Sequence, residues 1–260
     1  MTQSLKRMLA DKSPAIGSWI SLASMETCEI MAASGFDWLA IDMEHTAIGV
    51  NDMANLIRII DLHGTTPLVR VGANDPLLIK RALDAGAKGV IVPMVSSADD
   101  AAAAVAAAHF PPKGTRGVGL HRAQGYGRNF EAYMEWMQDD GPIVIAQIEH
   151  KDGVAALDSI MSTPGLDAFF IGPYDLTASF GKPGAFDDPE VISAMAKVDA
   201  AVKSGPIAGG VHIVTPNPSA LERHLSAGHR LIAYGVDMIL FATAAGAACA
   251  SIAQIKKNTS

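Results

Sequence analysis

Short apolar runs rich in β-branched residues recur along this chain, each followed by a helix-forming stretch and a glycine-closed turn. The spacing, roughly 20 to 30 residues, is that of the βα unit of a parallel sheet. Strands are expected at residues 15–20, 36–42, 67–71, 89–93, 143–150, 167–171, 207–213 and 231–235. Helices are expected at 25–34, 51–63, 76–85, 97–109, 153–161, 189–203, 219–226 and 241–256, with a short amphipathic helix at 4–11 ahead of the first strand. Asn51 reads as an N-cap, and Gly35 and Gly86 as helix stops. Eight strands in this order predict an α/β fold, a (β/α)8 TIM barrel, in one domain spanning residues 1–260; no GxGxxG opens a helix after the first strand, which argues against a doubly wound sheet. With 49% hydrophobic residues the chain can bury the core such a barrel needs.

Two segments break the rhythm. Residues 110–141 are rich in Gly and Arg and too long for a plain connection, so they are expected to lie over the site or against a neighbouring subunit; residues 172–188 form a second long loop. Between them, IVIAQIEH at 143–150 is an apolar run ending in Gln147, Glu149 and His150, a buried strand that delivers polar side chains to its C-terminal mouth. A carboxylate there must be neutralised, paired or metal-bound. The pattern recurs in AFFIGPYD, which ends at Asp175. Each acid alone could simply cap the helix that follows. As a pair at successive strand ends they form a candidate site for a divalent metal (Mg2+, Mn2+ or Co2+), because hard cations take oxygen ligands and keep positions for water or substrate.

Residues just past the strand ends of a barrel share one rim. Here they are Asp42, Glu44, His45, Arg70, Gln147, Glu149 and Asp175. Arg70 interrupts the apolar PLVRV and must face a carboxylate, either Asp42 in a structural pair or an acid of a ligand. His45 lies beside two acids that can fix its tautomer and raise its basicity. His150 follows Glu149 and could support it, whereas His63, His109, His224 and His229 are expected to face solvent; His121 and His212 remain open. The glycine-rich GPIAGG at 205–210 lacks the lysine of a phosphate loop. A Schiff-base route would need a desolvated lysine at a strand end, and only Lys151 comes near.

Net charge is −7 with no run of Lys or Arg, which disfavours nucleic acid and anionic membranes as partners and points to a small molecule. Cys28 and Cys249 lie far apart without CxxC spacing, as reduced cytoplasmic thiols would. The N-terminus is too polar for a signal segment, and no apolar stretch reaches about 18 residues without interruption, so a soluble cytoplasmic protein is expected.

The segments GFDWLAIDMEH, PLVRV, KGVIVPMV, KGTRGVG, QIEHKDGV and DAFFIGPYDLTASFG, in this order and spacing over residues 16–235, resemble the HpcH/HpaI aldolase family of metal-dependent class II pyruvate aldolases. The resemblance implies a barrel of the phosphoenolpyruvate/pyruvate-binding superfamily. It also implies reversible cleavage of a 4-hydroxy-2-oxo acid, through a metal-stabilised enolate, into pyruvate or a related 2-oxo acid and an aldehyde. On this similarity Glu149 and Asp175 match the metal ligands, His45 the proton-transfer histidine and Arg70 the arginine on the keto or enolate oxygen. Asp42 matches an acid behind them, Gln147 a polar neighbour, and the backbone around Gly172 and Pro173 the segment holding the pyruvate carboxylate. Asp84 matches an acid that pairs with the histidine of an adjacent subunit. Hexamers of two trimers are the family's habit, and the Ala-rich C-terminal helix suits exchange between subunits, with Arg116, Arg122 and Tyr126 near a neighbour's rim. After RGVG this chain reads LHRAQGYGRNF, a departure that leaves the aldehyde half open. Rival expectations are a lyase for coenzyme A thioesters or a phosphonate-type mutase on the same barrel, and a keto-acid binder without turnover.

Overall fold

The computed structural model describes residues 3–259. Eight parallel strands, β1 (Ala15–Ile20), β2 (Trp38–Asp42), β3 (Thr66–Arg70), β4 (Gly89–Val92), β5 (Ile143–Ile148), β6 (Ala168–Ile171), β7 (Ala208–Ile213) and β8 (Leu231–Val236), close into a barrel in sequence order. Among the described residues the helices are α1 (Leu5–Ala10), α2 (Met25–Ala33), α3 (Val50–Leu62), α4 (Pro76–Ala85), α5 (Ala98–Ala108), α6 (Phe130–Asp139), α7 (Lys151–Ala155), α8 (Leu157–Met161), α9 (Pro173–Ser179), α10 (Pro189–Ser204), α11 (Pro218–Ala227) and α12 (Asp237–Thr259).

Strand side chains alternate between the lumen and the helical layer, and this parity sorts the core into two parts. Trp19, Trp38, Ala40, Leu68, Ile91, Ile143, Ile145, Ala168, Phe170, Ala208, Leu231 and Ala233 pack together inside the barrel, with Leu5 and Leu9 of α1 closing its N-terminal end. The alternate residues, among them Leu39, Ile41, Val69, Val90, Val144, Ile148 and Phe169, pack outward against the helices. A filled lumen leaves only the C-terminal ends of the strands free for chemistry.

Local chemistry explains where the elements depart from expectation. α3 starts at Val50 because Gly49 is its cap, with Asp52 Oδ2 accepting from the Gly49 N–H at 3.2 Å, so Asn51 lies inside the first turn. Residues 153–161 divide at Ala156 into α7 and α8, and the loop at 172–188 contains α9, begun by Pro173 at its first position. α12 begins at Asp237, ahead of the expected 241. The Asp237 carboxylate accepts from the Ser21, Leu22 and Met238 N–H groups at 2.8–3.0 Å, tying the end of β8 to the end of β1.

The segment 110–141 holds a single 3-10 turn (Arg122–Gln124) and α6, and it does not cover the mouth of its own barrel. Thr115 N–H donates to Ala106 O and Arg116 N–H to His109 O, which anchors the segment at the far end of α5; from there it runs along the flank of α4. From Phe241 onward every described residue of α12 is exposed. At 23 residues and a mean hydropathy of 1.8 over its most apolar window, α12 is long and apolar enough to cross a membrane. No uninterrupted apolar run marks it in the sequence because Thr243, Gly246 and Ser251 punctuate the helix. Two histidines expected in solvent are buried: His109, whose Nδ1 donates to Val105 O at 2.9 Å, and His229, 2% exposed.

Candidate active site

Parity assembles the site. Asp42 follows Trp38 and Ala40 on the lumen side of β2, Arg70 follows Leu68 on β3, and Gln147 follows Ile143 and Ile145 on β5, with Glu149 one step further. Register does the rest, since Asp42 pairs with Arg70, and Arg70 in turn with Ile91. Asp42, Arg70 and Gln147 therefore emerge together at the mouth, with Glu149 one step above Gln147.

Arg70 is the hub. Its Nε and Nη2 donate to Asp42 Oδ1 and Oδ2 at 3.0 and 2.7 Å, a two-point grip on a carboxylate that also accepts from the Glu44 and His45 N–H groups. Nη1 donates to Gln147 Oε1 at 3.4 Å, Nε lies 3.4 Å from Glu44 Oε2, and the guanidinium stacks 4.4 Å above the Trp19 ring. Burial pushes Asp42 upward, but the hydrogen bonds and charge of Arg70, with the two N–H donors, outweigh it and hold the carboxyl below its ordinary range. Of the two partners left open for Arg70, the structure shows the pair with Asp42.

Glu149 is 2% exposed. Its Oε1 accepts from Met94 N–H at 2.7 Å and its Oε2 from Gln147 Nε2 at 2.6 Å, both neutral donors. Burial, then the charge of Asp175, push it above the ordinary carboxylate range against those donors and the more distant Arg70. Glu44 is raised too, by burial first and by the charges of Glu149 and Asp42, with Arg70 and His45 opposing. The mouth thus holds Asp42, Glu44, Glu149 and Asp175 around one arginine. A hard divalent cation fits this donor set, since it would compensate the unpaired charge with carboxylate oxygens as ligands. No group of three or more His, Cys, Asp or Glu among the described residues is arranged to hold a metal. A cation at Glu149 and Asp175 would complete its shell with water or substrate oxygens.

Gly172 contributes by lacking a side chain: a Cβ there would lie 2.8 Å from Glu149 Oε2 and 2.9 Å from its Cβ. Its N–H is taken by Ile148 O at 3.1 Å and Pro173 has none, so the backbone donors of this segment are the amides of Tyr174 and Asp175 in the first turn of α9. His45 stands exposed at the rim with Nε2 3.6 Å from Glu44 Oε2. His150 instead caps α7, its Nδ1 accepting from Asp152 N–H at 3.2 Å, and Lys151 is exposed at the start of that helix.

Asp84 is not brought to this mouth. It lies on α4, paired with Arg116 at 2.7 Å and 3.7 Å from His121, while Arg122 pairs with Asp61 at 2.6 Å. Arg116, 3% exposed, is therefore held inside its own chain, unlike the exposed Tyr126. Sequence reasoning gave no role to Trp19, which looks like an ordinary core aromatic, and only a rim position to Glu44. Counting parity back along β1, where Ala15 and Trp19 share a face, would have placed Trp19 beneath the mouth.

Comparison with known proteins agrees with this architecture. Residues 15–244 match the HpcH/HpaI aldolase/citrate lyase family. The chain is 39% identical over 234 residues, 90% of each chain, to a Pseudomonas putida protein named 2-dehydro-3,6-dideoxy-6-sulfogluconate aldolase. It is 38% identical over 259 residues, 99% of this chain and 97% of the relative, to the 4-hydroxy-2-oxo-heptane-1,7-dioate aldolase of Salmonella typhimurium. A crystal structure of an HpcH/HpaI aldolase/citrate lyase family protein from Burkholderia cenocepacia superposes with a TM-score of 0.88 at 38% identity, covering 96% of this chain and 99% of that one. With the match running through every strand of the barrel, the chain belongs to the HpcH/HpaI aldolase/citrate lyase family and is a lyase of its aldolase kind.

Proposed function

We propose that this enzyme reversibly cleaves a 4-hydroxy-2-oxo acid into pyruvate, or a related 2-oxo acid, and an aldehyde, with Glu149 and Asp175 holding a divalent metal. The observation that carries the proposal is the lumen-facing Glu149, buried against neutral donors in a site where carboxylates outnumber cations. A bound Mg2+, Mn2+ or Co2+ supplies Lewis-acid polarisation of the 2-oxo acid.

The side chains account for the remaining steps. Arg70, fixed by Asp42 and Trp19, faces the substrate's 2-oxo oxygen, where its positive charge interacts most strongly once that oxygen becomes an enolate. Gln147 braces Arg70 and Glu149 together. His45, with Glu44 beside Nε2, takes the C4 hydroxyl proton, directly or through a water; the C3–C4 bond breaks, the aldehyde leaves, and the electron pair moves into the enolate. A proton returned to C3 gives the methyl group of pyruvate. The segment from Gly172 and Pro173 into α9 binds the carboxylate of the 2-oxo acid.

The same proposal covers assembly and location. The enzyme is a single-domain cytoplasmic homo-oligomer, a trimer or a hexamer, that works on small molecules without nucleic acid or membrane. α12, exposed along its small-residue surface, packs onto a neighbouring subunit, and Asp84 completes that neighbour's site through its His45.

The test strips the enzyme with chelator and restores Mg2+, Mn2+ or Co2+, following both thermal stability and exchange of pyruvate methyl protons in deuterated water. Metal is expected to raise Tm and restore exchange in the native enzyme and to do neither in Glu149→Gln. Full exchange in the stripped enzyme refutes the proposal.

A further inference from the structure

One polar side chain in the lumen has no part in the steps above. His212 follows Ala208 and Gly210 on the lumen face of β7, its ring 5.9 Å from Trp19, the residue on which Arg70 stacks. His212 Nε2 lies 3.2 Å from Gly235 O. A carbonyl only accepts, so Nε2 carries the proton and Nδ1 carries a lone pair. The anchor is firm: Gly235 has a left-handed backbone (φ +82°), and its carbonyl also accepts from Ser18 Oγ at 3.0 Å. Among the described residues nothing pairs with Nδ1, which is not sealed from solvent. Burial, reinforced by the charge of Arg70, pushes the imidazole down to about 4 despite the Gly235 bond and Asp42, so at neutral pH the ring is an acceptor and not a cation.

Strand order says what this acceptor faces. The 2-oxo acid half of the substrate lies between the carboxylates of β5 and β6 and Arg70 of β3, and the quadrant from β3 through β4 to β5 is closed by Gln147 and Met94 on Glu149. The C4 hydroxyl lies at His45, beyond β2. The aldehyde half must then extend across the opposite quadrant, β7–β8–β1, whose lumen side carries His212, Val236 and Trp19. We infer that His212 Nδ1 accepts a hydrogen bond from a hydroxyl group on the aldehyde half, making this an aldolase for hydroxylated aldehydes in preference to plain aliphatic ones. A carboxylate at the same point would meet a lone pair instead of a donor. The inference rests on the aldolase proposal.

The experiment runs the aldol direction with pyruvate and matched acceptors: glycolaldehyde against acetaldehyde, and glycolaldehyde against methoxyacetaldehyde, which keeps the oxygen but has no proton to donate. Native enzyme is expected to favour glycolaldehyde over methoxyacetaldehyde in kcat/KM by about tenfold or more, and His212→Leu to lower the glycolaldehyde-to-acetaldehyde ratio by about tenfold. Comparing ratios cancels the intrinsic electrophilicity of each aldehyde and any general loss of turnover. His212→Gln, which keeps an acceptor oxygen, is expected to retain part of the preference. Native enzyme that treats glycolaldehyde and its methyl ether alike overturns the inference, as does a ratio unmoved in His212→Leu. If pyruvate methyl exchange persists in either case, the aldolase proposal stands and only the role of His212 falls; absence of exchange with every metal takes down both.

Discussion

Two arginine–aspartate pairs of equal length sit in this molecule and do different work. Arg70–Asp42 at the mouth and Arg116–Asp84 on the flank of α4 both close at 2.7 Å with the arginine side chain largely or wholly buried. Their surroundings have opposite sign. Arg116 also donates to Tyr133 Oη at 3.2 Å and stacks 4.8 Å from the Phe110 ring, beside a cavity of about 440 Å³ whose walls include Arg58, Lys80, Arg81 and Arg122. Arg70 instead faces Glu44 and Glu149, the latter also under the charge of Asp175. The flank pair has its charge balanced inside the chain, whereas the mouth is left with negative charge that a cation or a reacting ligand must offset. An ion pair is therefore read by what surrounds it, not by its own geometry.

Substitution should separate the two. Arg116→Ala leaves Asp84 without its main partner, since among the described residues its other ion-pair partner is His121 at 3.7 Å, and is expected to lower unfolding stability by about 3–5 kcal/mol as a urea-midpoint shift. Arg70→Ala is milder on the fold because Asp42 keeps two backbone N–H donors. Its effect is on turnover, where kcat is expected to fall by about 10²–10³, as when one donor to a developing oxyanion is removed. The contrast collapses if Arg70→Ala unfolds the protein more than Arg116→Ala does, or if kcat survives in Arg70→Ala.

What the sequence made legible follows from the same contrast. The strands were readable because lumen and helical faces are both apolar, giving β-branched runs bounded by glycine, and Asp42, Arg70, Gln147 and Glu149 were readable because each breaks such a run at its end. α9 was not, because PYDLTAS is only two turns long and carries a single buried leucine, Leu176. Nor was α6, where FEAYMEWMQD buries only Met137 within the chain. Trp19 and His212 matter through contacts between β1, β3 and β7 that are remote in sequence, and one chain offers no periodicity for that. Asp84 could be assigned only by resemblance, since the partner expected for it belongs to another subunit. The burial of His109 and His229 is not legible because a helix end reads as surface, whereas the His109 ring turns back to Val105 O and the His229 ring packs on His224.

A smaller effect sharpens the comparison between the mouth and the rest of the barrel. His212 at the mouth and His229, which precedes β8 at the opposite end, are both pushed down to about 4, His229 by burial first and then by His224 and Arg230. In the unfolded chain each titrates near 6.5, so between about pH 6.5 and 4 the unfolded state binds protons that the native state refuses. Stability must fall as pH falls through that window, by up to about 1.4 kcal/mol per pH unit for each ring. Urea midpoints in chelator between pH 7 and 5.5 measure the slope, which the raised carboxyls of Glu44, Glu149 and Asp167 oppose. His229→Phe keeps an aromatic ring against His224, 5.0 Å away in the native packing, and removes its own titration, so it should flatten the slope. His212→Leu should flatten it further, the lowered His109 and His224 supplying the remainder. If His229→Phe leaves the slope intact while His212→Leu flattens it, the buried imidazole at the far end is protonated without penalty and the mouth carries the larger share of the pH sensitivity.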